Sequence, residues 1–171
     1  MVAPDPIGWD HYKNQPAFVL GFHGCDESVA ARVVAGQDGV KQSSKPYDWL
    51  GSGAYFWEGS PHRALEWAHS LSLRPSSGAN RITRPAVLGA VIDLGRCCNL
   101  FDSEALDELR EAWSVLKASH EASGTPLPEN RGDSPDKLAR FLDRAVIEYM
   151  HALRSSAGLP PYDTIRAPFN E

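Results

Sequence analysis

The chain has 171 residues, with 17 Lys plus Arg against 22 Asp plus Glu and a formal net charge of -5 at pH 7. At 42% hydrophobic and 23% charged residues it has the composition of a folded globular protein, not of a disordered segment, and the length suits a single domain over residues 1–171. The acidic balance argues against sequence-independent nucleic-acid binding, which runs on excess basic charge. No apolar run approaches the ~20 residues that span a bilayer, and the polar, Pro-bearing start (Met1–Asp10) lacks a signal peptide's basic and apolar regions. The three cysteines, Cys25, Cys97 and Cys98, form neither an even disulfide framework nor a C-x-x-C. They read as reduced thiols in a cytoplasmic protein without a metal site.

Taken in chain order, the apolar run Ala17–Phe22 reads as a buried strand ending in a tight turn at His23-Gly24. Asp26 suits the N-cap of a helix carrying Val29, Arg32 and Val33, which Gly36 stops. After a loop, Gly51-Ser52-Gly53 leads into Ala54-Tyr55-Phe56-Trp57, a short strand rich in β-formers. Ser60-Pro61 is a helix start, with Ala64, Leu65, Trp67, Ala68 and Leu71 on its apolar face. Arg74–Arg84 reads as a surface loop. Pro85–Leu94 is apolar almost throughout and is expected as the central strand. Ser103 is expected to cap an amphipathic helix, and a second is expected from about Pro135 to Ser155, with Arg131-Gly132-Asp133 in the loop between them. Gly158 stops the second helix, and Tyr162–Ile165 reads as a last strand. About four strands and four helices result, without a repeated βαβ pattern, so the fold class is α+β. The chain ends at Phe169-Asn170-Glu171, directly after a strand-like segment, which leaves C-terminal truncation open.

Chemistry-bearing residues concentrate between Phe22 and Trp67. A glycine beside a strand lets a backbone N–H and C=O approach a planar amide. A neighbouring imidazole can bond a ribose hydroxyl, and two aromatics offer flat faces to a ring. Each piece also has a plain structural reading: His23-Gly24 as a turn, Tyr55-Phe56-Trp57 as core packing, Gly51-Ser52-Gly53 as a bend. His11, His62, His69, His120 and His151 show no pairing and read as surface residues.

In this order and spacing, His23-Gly24, Gly51-Ser52-Gly53-Ala54-Tyr55-Phe56 and the helix Ser60–Ala68 resemble the ADP-ribosyltransferase superfamily, on the poly-ADP-ribose polymerase and diphtheria-toxin-like branch and its uncharacterised bacterial members. The matched segments cover about 30 of the 171 residues. The resemblance implies a split β-sheet with an NAD cleft and an inserted helical pair. It implies NAD+ as substrate, with His23 on the ribose, Gly24 holding the carboxamide through its backbone, and Tyr55 stacked on nicotinamide. Gly53, Phe56, Arg63 and Trp67 would line the same site, and Ser60 is a further contact. The family's catalytic carboxylate on a late strand falls to Glu171, with Glu148 a second choice because it lies mid-helix; otherwise the family's last strands are missing from the chain.

The implied activity is transfer of ADP-ribose to a macromolecule with release of nicotinamide, in a bacterial toxin-like effector with a neutralising antitoxin or immunity protein. The alternatives are NAD glycohydrolase activity and a non-catalytic module that binds NAD, ADP-ribose or a partner.

Overall fold

The computed structural model describes residues 18–74, 81–133 and 137–169. The fold is α+β, with five strands and four helices among these residues. They form two compact units, one of residues 18–43 and 53–93, the other of residues 44–52 and 94–169.

The first unit is a three-stranded antiparallel sheet with two helices. Strand β1 (Phe18–Asp26) pairs along its whole length with β3 (Pro85–Asp93), from Phe18↔Asp93 to Asp26↔Pro85. Helix α1 (Glu27–Val34) follows β1 directly. Strand β2 (Trp57–Glu58) adds to the other edge of β1 through Phe22↔Trp57 and Gly21↔Glu58. Helix α2 (Pro61–Ser72) starts at Pro61, as the Ser-Pro pair predicts, although Ser60 makes no side-chain cap bond.

Three expectations are corrected in this unit. His23-Gly24 is not a turn. The strand runs through it, because β3 offers a partner at every position and Asp26 begins a helix only afterwards. The strand expected over Ala54–Trp57 shrinks to Trp57–Glu58. The apolar run Pro85–Asp93 lies at the edge of the order β2-β1-β3, and β1 is central. An apolar sequence signals burial, but the outer half of β3 alternates, with Gly89, Val91 and Asp93 exposed.

Asp26 joins three pieces of the unit. Its carboxylate accepts from Ser28 N (3.0 Å) and Ser28 Oγ (2.6 Å), capping α1. It also accepts from Thr83 N (2.8 Å), Thr83 Oγ1 (2.9 Å) and Arg84 N (3.0 Å), ahead of β3. These donors, the Ser28 side chain first, hold its carboxyl far below the usual carboxylate range.

The second unit is built on a helical pair. Strand β4 (Cys97–Asn99), which the sequence pattern did not signal, pairs in parallel with β5 (Thr164–Arg166). Between them run α3 (Ser103–Ser123) and α4 (Phe141–Ser156). Ala105, Ala112 and Leu116 of α3 close on Val146, Ile147 and Met150 of α4, with Cys98 at the same core. Full burial of side chains such as Ile147 and Met150 contributes about 1.5–3 kcal/mol each. Burial also pushes the Cys98 thiol up to about 12. Tyr162 donates to Glu108 Oε2 at 2.5 Å, and Arg154 donates to Glu108 Oε1 at 2.8 Å with its guanidinium 3.9 Å from the Tyr162 ring centroid. His151, expected on the surface, is half-buried against Tyr162, and burial lowers its pKa.

Here too the boundaries move. The N-cap of α3 is Asp102, not Ser103, and its carboxylate accepts from Asn99 Nδ2 (2.8 Å) in place of a cap bond. Helix α4 starts at Phe141 and not near Pro135: Lys137 has φ +44°, outside helical backbone, and Ala139 exchanges two hydrogen bonds with Arg131. Asn130 does the capping from a distance. Its Oδ1 accepts from Leu142 N (2.8 Å) and Asp143 N (3.4 Å), and its Nδ2 donates to Asp143 Oδ1 (2.7 Å). Parts of two expected loops, residues 75–80 and 134–136, lie outside the described residues.

Two stability predictions follow from the cap and the joint. Asn130→Ala removes the donor-satisfying oxygen at α4 and should cost about 1 kcal/mol in urea unfolding. Asp26→Asn should lower the urea midpoint at pH 7. Because the folded carboxyl titrates below the unfolded one, its contribution is complete above the unfolded value of about 3.9 and is lost as pH falls through the folded value. The gap between wild type and variant should therefore narrow at pH 3, and an unchanged gap would remove Asp26 from the acid response.

Candidate functional site

The centre of β1 is where the first unit brings its chemistry together. Along a strand the main-chain groups of alternate residues face the same edge. Leu20 O accepts from Gly59 N (2.8 Å), which places the even-numbered residues of β1 on the β2 side. Glu27 N donates to Arg84 O (2.8 Å), which places the odd-numbered ones on the β3 side. The N–H and C=O of Gly24 therefore face the edge that β2 occupies. The β2 ladder ends at Phe22↔Trp57, two residues short of Gly24.

Tyr55 comes to this edge by another route. Its carbonyl lies 2.8 Å from His23 Nδ1. A carbonyl only accepts, so Nδ1 carries the proton, and in the neutral ring Nε2 is the acceptor. The His23 ring is half-buried and tilted 53° to Phe56, with centroids 5.7 Å apart. Phe56 Cβ lies where a side chain at Gly21 would come within 3.1 Å of it, so Gly21 is the seat for Phe56. Sequence reasoning missed Gly21, whose signal was an isolated glycine inside a strand-like run.

Gly24 lets α2 lie directly on β1. A Cβ there would fall inside the van der Waals shell of the Ala64 carbonyl oxygen, and 3.2 Å from Ala68 Cβ. Ala64 and Ala68 are fully buried, which explains the small residues on this helix face. The same packing locates Trp67. At 3.6 residues per turn it is rotated about 100° from Ala68, and it is 40% exposed, with the Arg74 guanidinium 5.7 Å from its ring. Arg63 pairs with Glu66 at 2.5 Å and lies 5.5 Å from the Trp57 ring. Gly53 exchanges two hydrogen bonds with Ser43 (2.8 and 3.0 Å). The sharp backbone of the Gly-Ser-Gly falls on Gly51, with φ +85°.

His23, Gly24, Tyr55 and Phe56 are thus neighbours in one unit. Glu148 belongs to the other unit, where Ser52 N (3.2 Å) and Ser52 Oγ (3.3 Å) donate to it. Glu171 lies outside the described residues. Cys25, next to Gly24, is buried, and that burial raises its thiol pKa. Among the described residues no group of three His, Cys, Asp or Glu could hold a metal ion, and no helix is long and apolar enough to cross a membrane.

The helical unit has a cavity of about 420 Å³ among Trp49, Leu109, Trp113, Leu142 and Val146. Its charged members are paired with helix neighbours, Arg110 with Asp107 and Asp143 with Arg140. It therefore lacks the convergent polar groups of the β1 site.

Gly24→Ala should destabilise the protein by about 1–3 kcal/mol in denaturant unfolding, because the new methyl meets helix backbone that cannot rotate away. An unchanged midpoint would show that α2 lies farther from β1 than the structure has it. No protein-family model, curated protein or solved structure matches the chain.

Proposed function

We propose that the protein is an NAD+-dependent ADP-ribosyltransferase. The observation that carries this reading is the corner formed by His23, Gly24 and Tyr55. One imidazole nitrogen is tied to the Tyr55 carbonyl at 2.8 Å, and the adjacent glycine turns its main-chain groups past the end of β2. A nicotinamide carboxamide offers one N–H₂ and one C=O, which an edge N–H and C=O complement. A neutral imidazole with Nδ1 bonded elsewhere has Nε2 left to accept from a ribose hydroxyl. Tyr55 supplies the stacking face.

In the reaction, the bond between nicotinamide nitrogen and ribose C1′ breaks and its electron pair leaves with nicotinamide. The acceptor's nucleophile then forms a bond to C1′ and gives up its proton. Positive charge develops at C1′ on the way, and a carboxylate stabilises it. The resemblance assigns that role to Glu171. The same resemblance supports a toxin-like effector acting in the cytoplasm on a macromolecular acceptor, with a dedicated neutralising protein.

The test is incubation of the purified chain with NAD+ labelled in the adenylate, with and without cell extract, following nicotinamide release and label on macromolecules. Release with label transfer supports the transferase. Release of free ADP-ribose alone makes it a glycohydrolase, and binding without release makes it a non-catalytic module. His23→Ala and Tyr55→Ala should each weaken NAD+ binding about tenfold, the equivalent of ~1.4 kcal/mol, and stop turnover. No binding of NAD+ by the folded protein would end the reading.

A further inference from the structure

Strand β3 is a nine-residue edge strand of the first unit, in the order β2-β1-β3. The bond from Glu27 N to Arg84 O fixes which of its main-chain groups face inward. Alternate residues share an edge, so Ala86, Leu88, Ala90 and Ile92 exchange bonds with Cys25, His23, Gly21 and Val19 of β1. Val87, Gly89 and Val91 therefore turn their N–H and C=O outward. Among the described residues, no hydrogen bond is made to these outward groups. Their side chains share one sheet face with Gly24, Phe22 and Leu20, their partners across the ladder. Helix α2 covers that face at Gly24, but at the other end Leu20 is 58% exposed and Val91 70%.

Sheets blunt long edges with charge, proline, a bulge or a cover, because a bare edge is a template for another strand. Residues 87–91 of β3 hold no charge and no proline, and the strand pairs with β1 without a bulge. Pro85 stands only at its first position. The strand is also complementary to itself. Gly89 is its midpoint, and antiparallel pairing about that point sets Gly89 against Gly89 and Val87 against Val91 of the second copy. Each such pair has outward N–H and C=O groups to exchange. Leu20, Val91 and Val87 of the second copy then form one apolar row, and β-branched residues meet at its centre. Phe22 Cε1 lies 3.4 Å from where a Gly89 Cβ would be, so a Phe22 ring flanks the glycine pair on each side. The Asp93 end of one strand meets the Arg84–Pro85 end of the other, so no two β3 carboxylates face each other in spite of the net charge of -5.

We propose that the outer edge of β3 is the interface for a second copy of this chain. The two strands pair antiparallel about a two-fold axis at Gly89, and two three-stranded sheets become one of six. The contact is isologous, which closes the assembly at a dimer.

Sedimentation equilibrium of the full chain tests this, with a mass rising toward twice 18.7 kDa as concentration increases. Gly89→Pro removes an outward N–H and no bond to β1, and should weaken the dimer at least tenfold with an unchanged circular dichroism spectrum. Val91→Lys, at an exposed position, should do the same by placing a charge in the apolar row, and it keeps the test open if the proline variant fails to fold. Gly89→Cys should form an intermolecular disulfide on mild oxidation, because hydrogen-bonded partners have Cα atoms about 5.5 Å apart. Val91→Cys should give no more cross-linking than wild type with its own three cysteines, because the two copies of residue 91 lie four residues apart along the pair, roughly 13 Å. A chain that stays monomeric at its highest soluble concentration would overturn the proposal. So would a dimer that survives both Gly89→Pro and Val91→Lys, or one that cross-links through Val91→Cys and not through Gly89→Cys.

Discussion

The close approach of α2 to β1 at Gly24 is the constraint on which the candidate site depends. A helix normally stands off a sheet by the thickness of its side chains. Here glycine on the strand and Ala64 and Ala68 on the helix remove that thickness, and the Ala64 carbonyl sits against the glycine Cα. The gain is a close-packed joint without polar side chains. The cost is that position 24 admits no other residue without moving α2. The same glycine turns its main-chain polar groups to the strand edge where β2 has stopped. One buried residue thus serves packing through its missing side chain while its main-chain groups face the edge beyond β2.

His23 completes the corner because strand geometry points it to the face opposite Gly24's packing contact. Its Nδ1 accounts for the Tyr55 carbonyl at the place where the β2 ladder has ended. A side chain thereby replaces a ladder bond, and the chain at Tyr55 leaves the sheet without stranding an acceptor. That substitution also decides which imidazole nitrogen remains for a ligand. Stability and chemistry draw on the same hydrogen bond, so the Tyr55 carbonyl is satisfied before any ligand arrives.

The helical unit follows a different logic. Its core is aliphatic, centred on Ile147 and Met150, and its polar clusters lie at the margins. Glu108, Tyr162 and Arg154 tie the end of α4 to the segment ahead of β5. Arg144 and Glu148 hold residues 45–52 on the opposite stretch of the helix. Both clusters use an arginine with several acceptors, which suits a group that stays charged when half-buried. The long apolar faces of α3 and α4 were plain in the sequence, but neither cluster was, because Arg154 lies 46 residues from Glu108 and Arg144 lies 99 from Lys45.

Local signals were legible without coordinates. The sequence alone determined the α+β class, the Asp26 cap, the Ser60-Pro61 helix start and the stop at Gly158, because caps, prolines and glycines act within a few residues. Tertiary structure decided the rest. It carried β1 through His23-Gly24, since a strand continues wherever a partner offers hydrogen bonds. It placed Pro85–Asp93 at an edge, since hydrophobicity reports burial and not pairing. It delayed α4 until Asn130 could cap it. It gave His23 its tautomer, since only the fold could bring Tyr55, 32 residues away, to the imidazole. Long-range hydrogen bonds depend on which elements meet, and no window of neighbouring residues contains that information.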